Sequence, residues 1–156
     1  MNTKNGISMV MVVIMVVVLI VISSTIVVAG SEIVEKTKLK KFGTEMLQVK
    51  EATNQYVKRK SGNIDWNIKK VSIKSMTTEE IEQYSKEDLT QALNLYVVDL
   101  KDIGAETATY GLDGTTMGAD IYLYSMETGN IYYSKGYQYE DKVYYTLTDE
   151  LMDIIK

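Results

Sequence analysis

The chain lacks cysteine, histidine and proline altogether among its 156 residues. Without cysteine it can form no disulfide, no thiolate nucleophile and no cysteine-ligated zinc or iron–sulfur cluster. Without histidine it has no imidazole base, no Ser-His-Asp triad and no histidine-ligated metal. A glycosidase built on paired carboxylates needs a cleft, which so short a chain hardly supplies. We therefore expect no enzymatic activity and no cofactor.

Charged residues are missing from a long stretch near the start of the chain, between Lys4 and Glu32. Residues 7–30 read ISMVMVVIMVVVLIVISSTIVVAG, which exceeds the roughly 20 mostly apolar residues that a membrane helix needs. The run is also longer than the ~7–15-residue core of a secretory signal peptide. The small residues at 29–31 resemble a signal-peptidase site, which keeps that alternative open. The favoured prediction is a single membrane-spanning helix in contact with lipid.

The remaining charges divide the chain into a basic stem and an acidic head. Residues 31–60 hold eight Lys/Arg and four Glu, a net charge of 8 − 4 = +4, whereas residues 61–156 hold eight Lys and seventeen acids, a net charge of 8 − 17 = −9. The stem charge has three interpretations: a solvated helix face, attraction to anionic lipid headgroups, or pairing with the heads of other copies. The acidic head argues against nucleic-acid binding.

Residues 31–60 carry an apolar stripe at helical spacing. Its members recur every three or four residues and are Leu39, Phe42, Met46, Val49, Thr53 and Tyr56. This spacing predicts one face of an amphipathic helix, and the absence of proline lets a single helix continue from Ile7. We expect the stripe to pack on a sheet of the head. Lys41 and Glu45 are expected to form an i,i+4 ion pair, and residues 61–63 are expected to end the helix.

The head, residues 61–156, shows the composition of a small antiparallel sheet with short helices. Its strand-like segments are residues 71–74, 95–100, 121–124, 131–133 and 143–147. Eight of the twelve tyrosines lie at or after Tyr122. They suit half-buried strands, with a tyrosine-lined adhesive face as the alternative. The fold class predicted for the whole chain is therefore α+β.

Short helices and one irregularity of the sheet are predicted from local signals. Thr77 and Glu80 have the spacing of a capping box, and Ser85 is placed to cap a second helix that runs through Leu93. Thr148 is placed to cap a closing helix over residues 149–155. Gly136 interrupts a strand-like stretch and indicates a β-bulge.

A glycine- and threonine-rich stretch, residues 104–119, reads as a loop with four aspartates around it. These are Asp99, Asp102, Asp113 and Asp120. Oxygen ligands from such a loop suit Ca²⁺, but no EF-hand spacing is present. Ordinary loop acids and no bound metal are the favoured interpretation, with a calcium site as the alternative.

The leader and the start of the apolar run resemble a type IV prepilin. The leader is Met1-Asn2-Thr3-Lys4-Asn5-Gly6, and it continues directly into Ile7-Ser8-Met9-Val10. The segment 128–133, followed by Lys135-Gly136 and by Tyr144-Tyr145, is similar to the sheet end of pilin-like proteins from low-GC Gram-positive bacteria. The resemblance implies cleavage between Gly6 and Ile7 by a prepilin peptidase at the cytoplasmic face, and N-methylation of Ile7.

The resemblance further implies a domain plan and a function. The plan is a leader at 1–6, a membrane and filament-core helix at 7–30, an amphipathic stem at 31–60 and a globular head at 61–156, in a pilin-like α+β fold. The implied function is that of a minor pilin or pseudopilin in a type IV pilus or a type II secretion-like filament. Its partners would be other pilin-like subunits, the prepilin peptidase, the inner assembly platform and membrane lipid.

Two features depart from the family pattern. Typical pilins carry glutamate at the fifth position of the mature chain, where this chain has Met11. The lysines after the apolar run outnumber Lys4 before it, and by the positive-inside rule this charge distribution favours a cytoplasmic head. The resemblance implies the opposite topology, a single-pass protein with an extracellular head that is assembled on the cell surface. The alternative is a membrane-anchored binding module that does not polymerise.

Overall fold

The computed structural model describes residues 9–90, 93–113 and 119–156, without the side chains of residues 9–29 and of Thr90. The chain divides into two units, residues 1–37 and residues 38–156. Among the described residues, no helix is long and apolar enough to cross a membrane. The predictions for the leader, for the Gly6–Ile7 junction, for the side chain of Met11 and for most of the run 7–30 fall outside the described part.

The first helix, α1, covers Met9–Arg59 without interruption, as the absence of proline predicts. In the first unit, its side chains at Ile33 and Val34 are exposed. The helix ends where residues 61–63 were predicted to end it. Ser61 and Gly62 take positive φ angles of 51° and 77°, and the Gly62 N–H donates to the Val57 carbonyl at 3.0 Å. This left-handed exit satisfies carbonyls of the last helical turn.

The second unit contains a five-stranded antiparallel sheet in the order β1-β2-β3-β4-β5. The strands are β1 Ile68–Lys70, β2 Asn94–Val97, β3 Tyr122–Tyr124, β4 Ile131–Tyr139 and β5 Lys142–Thr146. The other helices are α2 Thr78–Gln83, α3 Lys86–Thr90 and α4 Asp149–Ile155. The predicted α+β class, with the long N-terminal helix packed on an antiparallel sheet, is confirmed.

Each face of the sheet buries its own cluster of side chains, because successive residues of a strand point to opposite faces. On one face, Tyr122, Tyr124 and Tyr133 pack with the stripe of α1 and with Leu151 of α4. On the other face, the buried side chains are Tyr84, Leu93, Leu95, Val97, Ile121, Leu123 and Tyr132. The sheet is thus the middle of three layers, with residues 38–59 of α1 on one side and Val71, Met76, Tyr84, Leu89 and Leu93 on the other.

The local signals for caps and for the bulge are confirmed. The hydroxyls of Thr77, Ser85 and Thr148 accept hydrogen bonds from the backbone N–H three residues later, at 3.1, 3.1 and 3.2 Å. Gly136 has φ +68° and lies where the register of β4 and β5 shifts. A Cβ atom at Gly136 would lie 2.4 Å from a Val143 methyl carbon, so the bulge requires glycine for both conformation and space.

The strand predicted at 131–133 is longer than expected and runs over Ile131–Tyr139. Three further predicted boundaries were wrong, and pairing between distant segments explains each of these three. The strand predicted at 71–74 lies earlier, at Ile68–Lys70, and Ile73–Ser75 forms a 3₁₀ turn. The strand predicted at 95–100 spans Asn94–Val97, because the chain turns after it and the Ala105 N–H donates to the Leu100 carbonyl. Helix α3 is described over Lys86–Thr90. Leu93, where it was predicted to end, lies outside a helix, and its carbonyl accepts a hydrogen bond from the Val71 N–H beside β1.

The stripe of α1 contains one unsatisfied polar atom. Thr53 is fully buried, and its hydroxyl has no hydrogen-bond partner among the described residues.

We expect Thr53→Val to raise the free energy of unfolding by about 1 kcal/mol, because it removes an unsatisfied hydroxyl while keeping the shape of the side chain. Urea unfolding followed by tryptophan fluorescence measures this. Thr53→Ser, which keeps the hydroxyl and loses a methyl group, is the control and should destabilise. An unchanged or lower midpoint for Thr53→Val would contradict the expectation.

Candidate functional site

The packing face predicted on α1 is confirmed as the centre of the head. Leu39, Phe42, Met46 and Val49 are buried, and Tyr56 is half-buried against them. The Phe42 ring is stacked on Tyr137, with ring centroids 4.6 Å apart, and meets Tyr110 edge to face at 5.1 Å. Aromatic contacts of this kind add about 0.5–1.5 kcal/mol beyond the burial of apolar area. Residues 38–59 of α1 are therefore an integral part of the head.

Glu45 on α1 fastens the loop that precedes β3. Its carboxylate accepts hydrogen bonds from the backbone N–H groups of Thr109 and Tyr110 at 2.8 and 2.9 Å, and from the Tyr122 hydroxyl at 3.3 Å. The ion pair predicted between Lys41 and Glu45 is absent from the described part of the chain, where the Glu45 carboxylate is bonded by these donors instead. Burial, and then the nearby Glu45 carboxylate, raise the pKa of Tyr122. The sequence offered one signal for this role, since Glu45 lies directly beside Met46 of the buried stripe.

Two of the four candidate calcium ligands lie on the turn after β2. The carboxylate of Asp99 accepts from the Lys101 N–H at 2.9 Å. One carboxylate oxygen of Asp102 accepts from the Trp66 indole at 2.9 Å and from the Tyr56 hydroxyl at 3.1 Å. The rings of Tyr56 and Trp66 stack at 5.1 Å. Asp102 therefore ties the end of α1 to the segment that leads into the sheet.

The other two aspartates close the loop before β3. Asp120 accepts from the Gly111 N–H at 2.8 Å and from the Tyr133 hydroxyl at 2.7 Å, and Asp113 accepts from the Asp120 N–H at 2.9 Å. Across the described ranges, no three acidic side chains come together as a group that could hold a metal ion. The four aspartates thus act as hydrogen-bond acceptors that shape two loops. Residues 114–118 of the loop lie outside the described part.

The tyrosines from Tyr122 onward pack within the head instead of forming an exposed face. Five are buried and three are half-buried, in the order Tyr122, Tyr124, Tyr132, Tyr133 and Tyr144, then Tyr137, Tyr139 and Tyr145. Burial, followed by a hydrogen bond to Glu150, raises the pKa of Tyr144 to about 12. The interpretation as half-buried strands is therefore the one that the structure favours over an adhesive face.

A buried carboxylate, Asp88, joins α3 to the turn between β3 and β4. It is 5% exposed and accepts hydrogen bonds from the hydroxyls of Ser125, Tyr132 and Thr128 at 2.5, 2.5 and 2.9 Å. Burial alone raises the pKa of Asp88, but the hydrogen bonds from Ser125, Tyr132, Ser85 and Thr128 outweigh burial and lower it. The sequence signal was weak, because Asp88 reads as an ordinary acid in the first turn of a helix.

No protein family, curated protein or solved structure matches this chain. The described side chains engage one another in packing contacts and hydrogen bonds, and the carboxylates hold loops and helices on the sheet. What this arrangement supports chemically is a tightly packed head that includes residues 38–59 of α1.

Proposed function

We propose that this chain is a structural subunit, a minor pilin or pseudopilin, of a type IV pilus or a related type II secretion-like filament. In this proposal a prepilin peptidase cleaves the chain between Gly6 and Ile7, and Ile7 is N-methylated. The segment 7–30 holds the subunit in the cytoplasmic membrane with the head outside. The subunit then joins other pilin-like subunits on the cell surface through an inner assembly platform.

The observation that carries the proposal is a single helix whose first part is uncharged in sequence and whose last part is buried in the head. Helix α1 runs over Met9–Arg59. The sequence of its first part is uncharged up to Glu32, whereas its last part supplies the buried stripe of a head. A helix apolar on all sides needs lipid or other helices around it. Removal of this helix from the membrane into water would cost about 0.8 kcal/mol for each CH₂ group exposed. Packing against neighbouring helices avoids that cost, so the subunit can leave the lipid only by assembling.

The second candidate is a single-pass anchored binding module that stays unassembled. Met11 favours it, because the family carries a glutamate there, which the resemblance implies pairs with the N-terminal amine of a neighbouring subunit. The lysines at 36, 38, 40 and 41 favour it as well, since by the positive-inside rule they argue for a cytoplasmic head. Within the filament proposal, Met11 is better suited to a minor position such as a tip than to the bulk of the filament.

Processing separates the prepilin class from an ordinary secreted protein. We expect intact-mass measurement of the protein purified from its own membranes to show the loss of residues 1–6 and a mature N-terminus at Ile7. The reason is that Gly6 alone stands between the basic leader and the uncharged run. Expression of the chain in cells that lack the prepilin peptidase is the control, and there the chain should stay uncut. A mature N-terminus at Ser31 would instead identify a signal peptide and refute the proposal.

Assembly separates the two candidate functions once processing is known. Shearing of intact cells followed by sedimentation should release the processed chain together with other pilin-like proteins, because a filament breaks away from the membrane as one particle. A processed chain that stays entirely in the membrane after shearing would favour the anchored binding module.

A further inference from the structure

The backbone of one edge strand of the sheet, β5, is bonded by side chains of α2. The Val143 N–H donates to the Glu79 carboxylate at 2.7 Å, and the Gln83 amide nitrogen donates to the Val143 carbonyl at 2.6 Å. The Tyr145 N–H donates to the Gln83 amide oxygen at 2.8 Å. An unpaired edge strand is a template for a further strand, and these bonds take up groups that such a strand would need.

The opposite edge strand, β1, is paired on one side only among the described strands. The Asn67 carbonyl and the Val71 N–H are bonded toward β2 and its flank, at 2.8 and 3.0 Å. Because the bonded residues alternate along an antiparallel pair, the backbone groups of Ile68 and Lys70 point away from β2. The outer side of β1 therefore presents two N–H donors and two carbonyl acceptors to a partner.

The β1 edge combines exposed apolar side chains with positive charge. Ile68 and Ile73 are 44% and 41% exposed. Three lysines lie within six residues there, namely Lys69, Lys70 and Lys74. Within the described ranges none of these lysines forms an ion pair. Since residues 61–156 carry a net charge of 8 − 17 = −9, this edge is a basic exception on an acidic head, and it favours an acidic partner.

The register of β1 fixes which side chains an added strand meets on each face of the sheet. Ile68 lies opposite Tyr96, and Lys69 lies opposite Leu95. Tyr96 packs with the cluster on the α1 side, whereas Leu95 belongs to the cluster on the other face. Since side chains alternate between the faces, Ile68 and Lys70 share the α1 side and Lys69 lies on the other.

A cavity of about 270 Å³ adjoins β1, and its lining includes Lys69 together with Ser72 and Ser75. Ammonium and hydroxyl groups are hydrogen-bond donors that suit a carboxylate. Glu80 lines the cavity as well. An acidic side chain of a partner is therefore expected beside Lys69 at the strand, and not deep in the cavity.

We propose that β1 binds an extended acidic segment of a different protein, which adds to the sheet as an antiparallel sixth strand. Read in its own chain direction, the segment carries two acidic residues and then a β-branched apolar residue, opposite Lys70, Lys69 and Ile68 in that order. Opposite charges and apolar pairs across strands are stabilising. Strand addition of this kind takes its affinity from main-chain hydrogen bonds and its specificity from the alternating side chains.

A second copy of this chain is a poorer occupant of the edge. An antiparallel pair of two β1 strands that uses both Ile68 and Lys70 is centred on Lys69 and sets two like charges directly opposite each other. The proposed contact needs only one copy of this chain. The inference therefore goes beyond the proposed function, and it suits a minor subunit as well as an anchored binding module.

The test is binding of the fluorescein-labelled peptide TTEEVTT to the purified full-length chain in detergent, measured by fluorescence polarisation. We expect saturable binding. Lys69→Glu with Lys70→Glu should lower the affinity by about tenfold or more, since like charges then face each other. Lys86→Glu with Lys101→Glu is the matched control, because it changes the net charge equally at exposed lysines elsewhere on the head. This control should keep the wild-type affinity.

Methylation of single backbone nitrogens of the peptide separates strand addition from simple charge attraction. In the antiparallel arrangement the N–H groups opposite Ile68 and Lys70 point toward β1, whereas the N–H between them points away. N-methylation of the first glutamate or of the valine should therefore abolish binding. N-methylation of the second glutamate should leave binding nearly unchanged, although the three methylated peptides have the same charge and composition.

The charge-swapped peptide TTKKVTT shows whether the reversed chain is folded. It should bind the chain with Lys69→Glu and Lys70→Glu about as tightly as TTEEVTT binds the wild type, because opposite charges again face each other. It should bind the wild type weakly. Recovery of binding in the swapped pair attributes the loss in the first experiment to charge and not to unfolding.

The outcomes also separate this inference from the proposed function. Peptide binding that is absent, that resists charge reversal, or that falls equally with methylation at all three positions would overturn it. Disulfide formation between two copies of Lys69→Cys that TTEEVTT does not suppress would overturn it as well, since a second copy then occupies the edge. None of these results bears on cleavage at Gly6 or on recovery of the chain in sheared filaments, which test the proposed function.

Discussion

Replacing Phe42 by aspartate is expected to unfold the head. Phe42 has 0% of its side chain exposed, and its ring lies against Tyr110, Tyr133 and Tyr137. The substitution loses the burial of a large ring and places an unpaired charge among aromatic rings. A cost above about 4–5 kcal/mol follows, which is comparable with the total stability of a small domain, about 5–15 kcal/mol.

Trp66 makes this measurement direct, because it is the one tryptophan of the chain and is buried in the same cluster as Phe42. Urea titration of the purified full-length chain in detergent should show a red-shifted, denaturant-insensitive emission for Phe42→Asp. Leu112→Asp is the matched control, because Leu112 is 65% exposed and its replacement should change the free energy of unfolding by no more than about 0.5 kcal/mol. A normal cooperative transition for Phe42→Asp would show that the stripe of α1 does not carry the fold.

Replacing Asp88 by asparagine is expected to cost about 2–4 kcal/mol of stability at neutral pH. The three hydroxyls of Ser125, Thr128 and Tyr132 donate to the buried Asp88 carboxylate. An asparagine offers one acceptor oxygen in place of two and adds an NH₂ donor. At least one buried hydroxyl therefore loses its acceptor. Exposed Asp65 provides the matched control, and Asp65→Asn should leave stability nearly unchanged.

The cost of Asp88→Asn should depend on pH in a defined direction. The folded-state pKa of Asp88 is lowered from its ordinary value, which for an unfolded aspartate is about 3.9. A lowered folded pKa contributes stability that is fully present above the unfolded pKa and is lost as pH falls through the folded pKa. We therefore expect a full difference between wild type and Asp88→Asn above about pH 5, shrinking below pH 4. A difference that is constant from pH 7 to pH 2 would contradict the role of the charge.

The sequence alone predicts the structural role of Phe42 but not that of Asp88. Phe42 belongs to a stripe with a period of three to four residues, and that period arises from the geometry of a single helix. Asp88 stands in the first turn of a short helix, where an acid is expected for local reasons. Its partners, Ser125 and Thr128, lie about forty residues further along the chain, and no local pattern relates these segments.

The sequence by itself determined the features that depend on near neighbours. These are the uninterrupted helix, the three hydroxyl caps, the left-handed exit at residues 61–63 and the bulge at Gly136, since each results from contacts within about four residues or from the conformational freedom of glycine. Tertiary structure alone decided the bounds of β1, the attachment of the loop to Glu45 and the hydrogen bonds that Glu79 and Gln83 of α2 make with the backbone of β5 at Val143 and Tyr145. In those cases the free energy comes from hydrogen bonds between segments tens of residues apart, and it exists only after the sheet has brought donor and acceptor together.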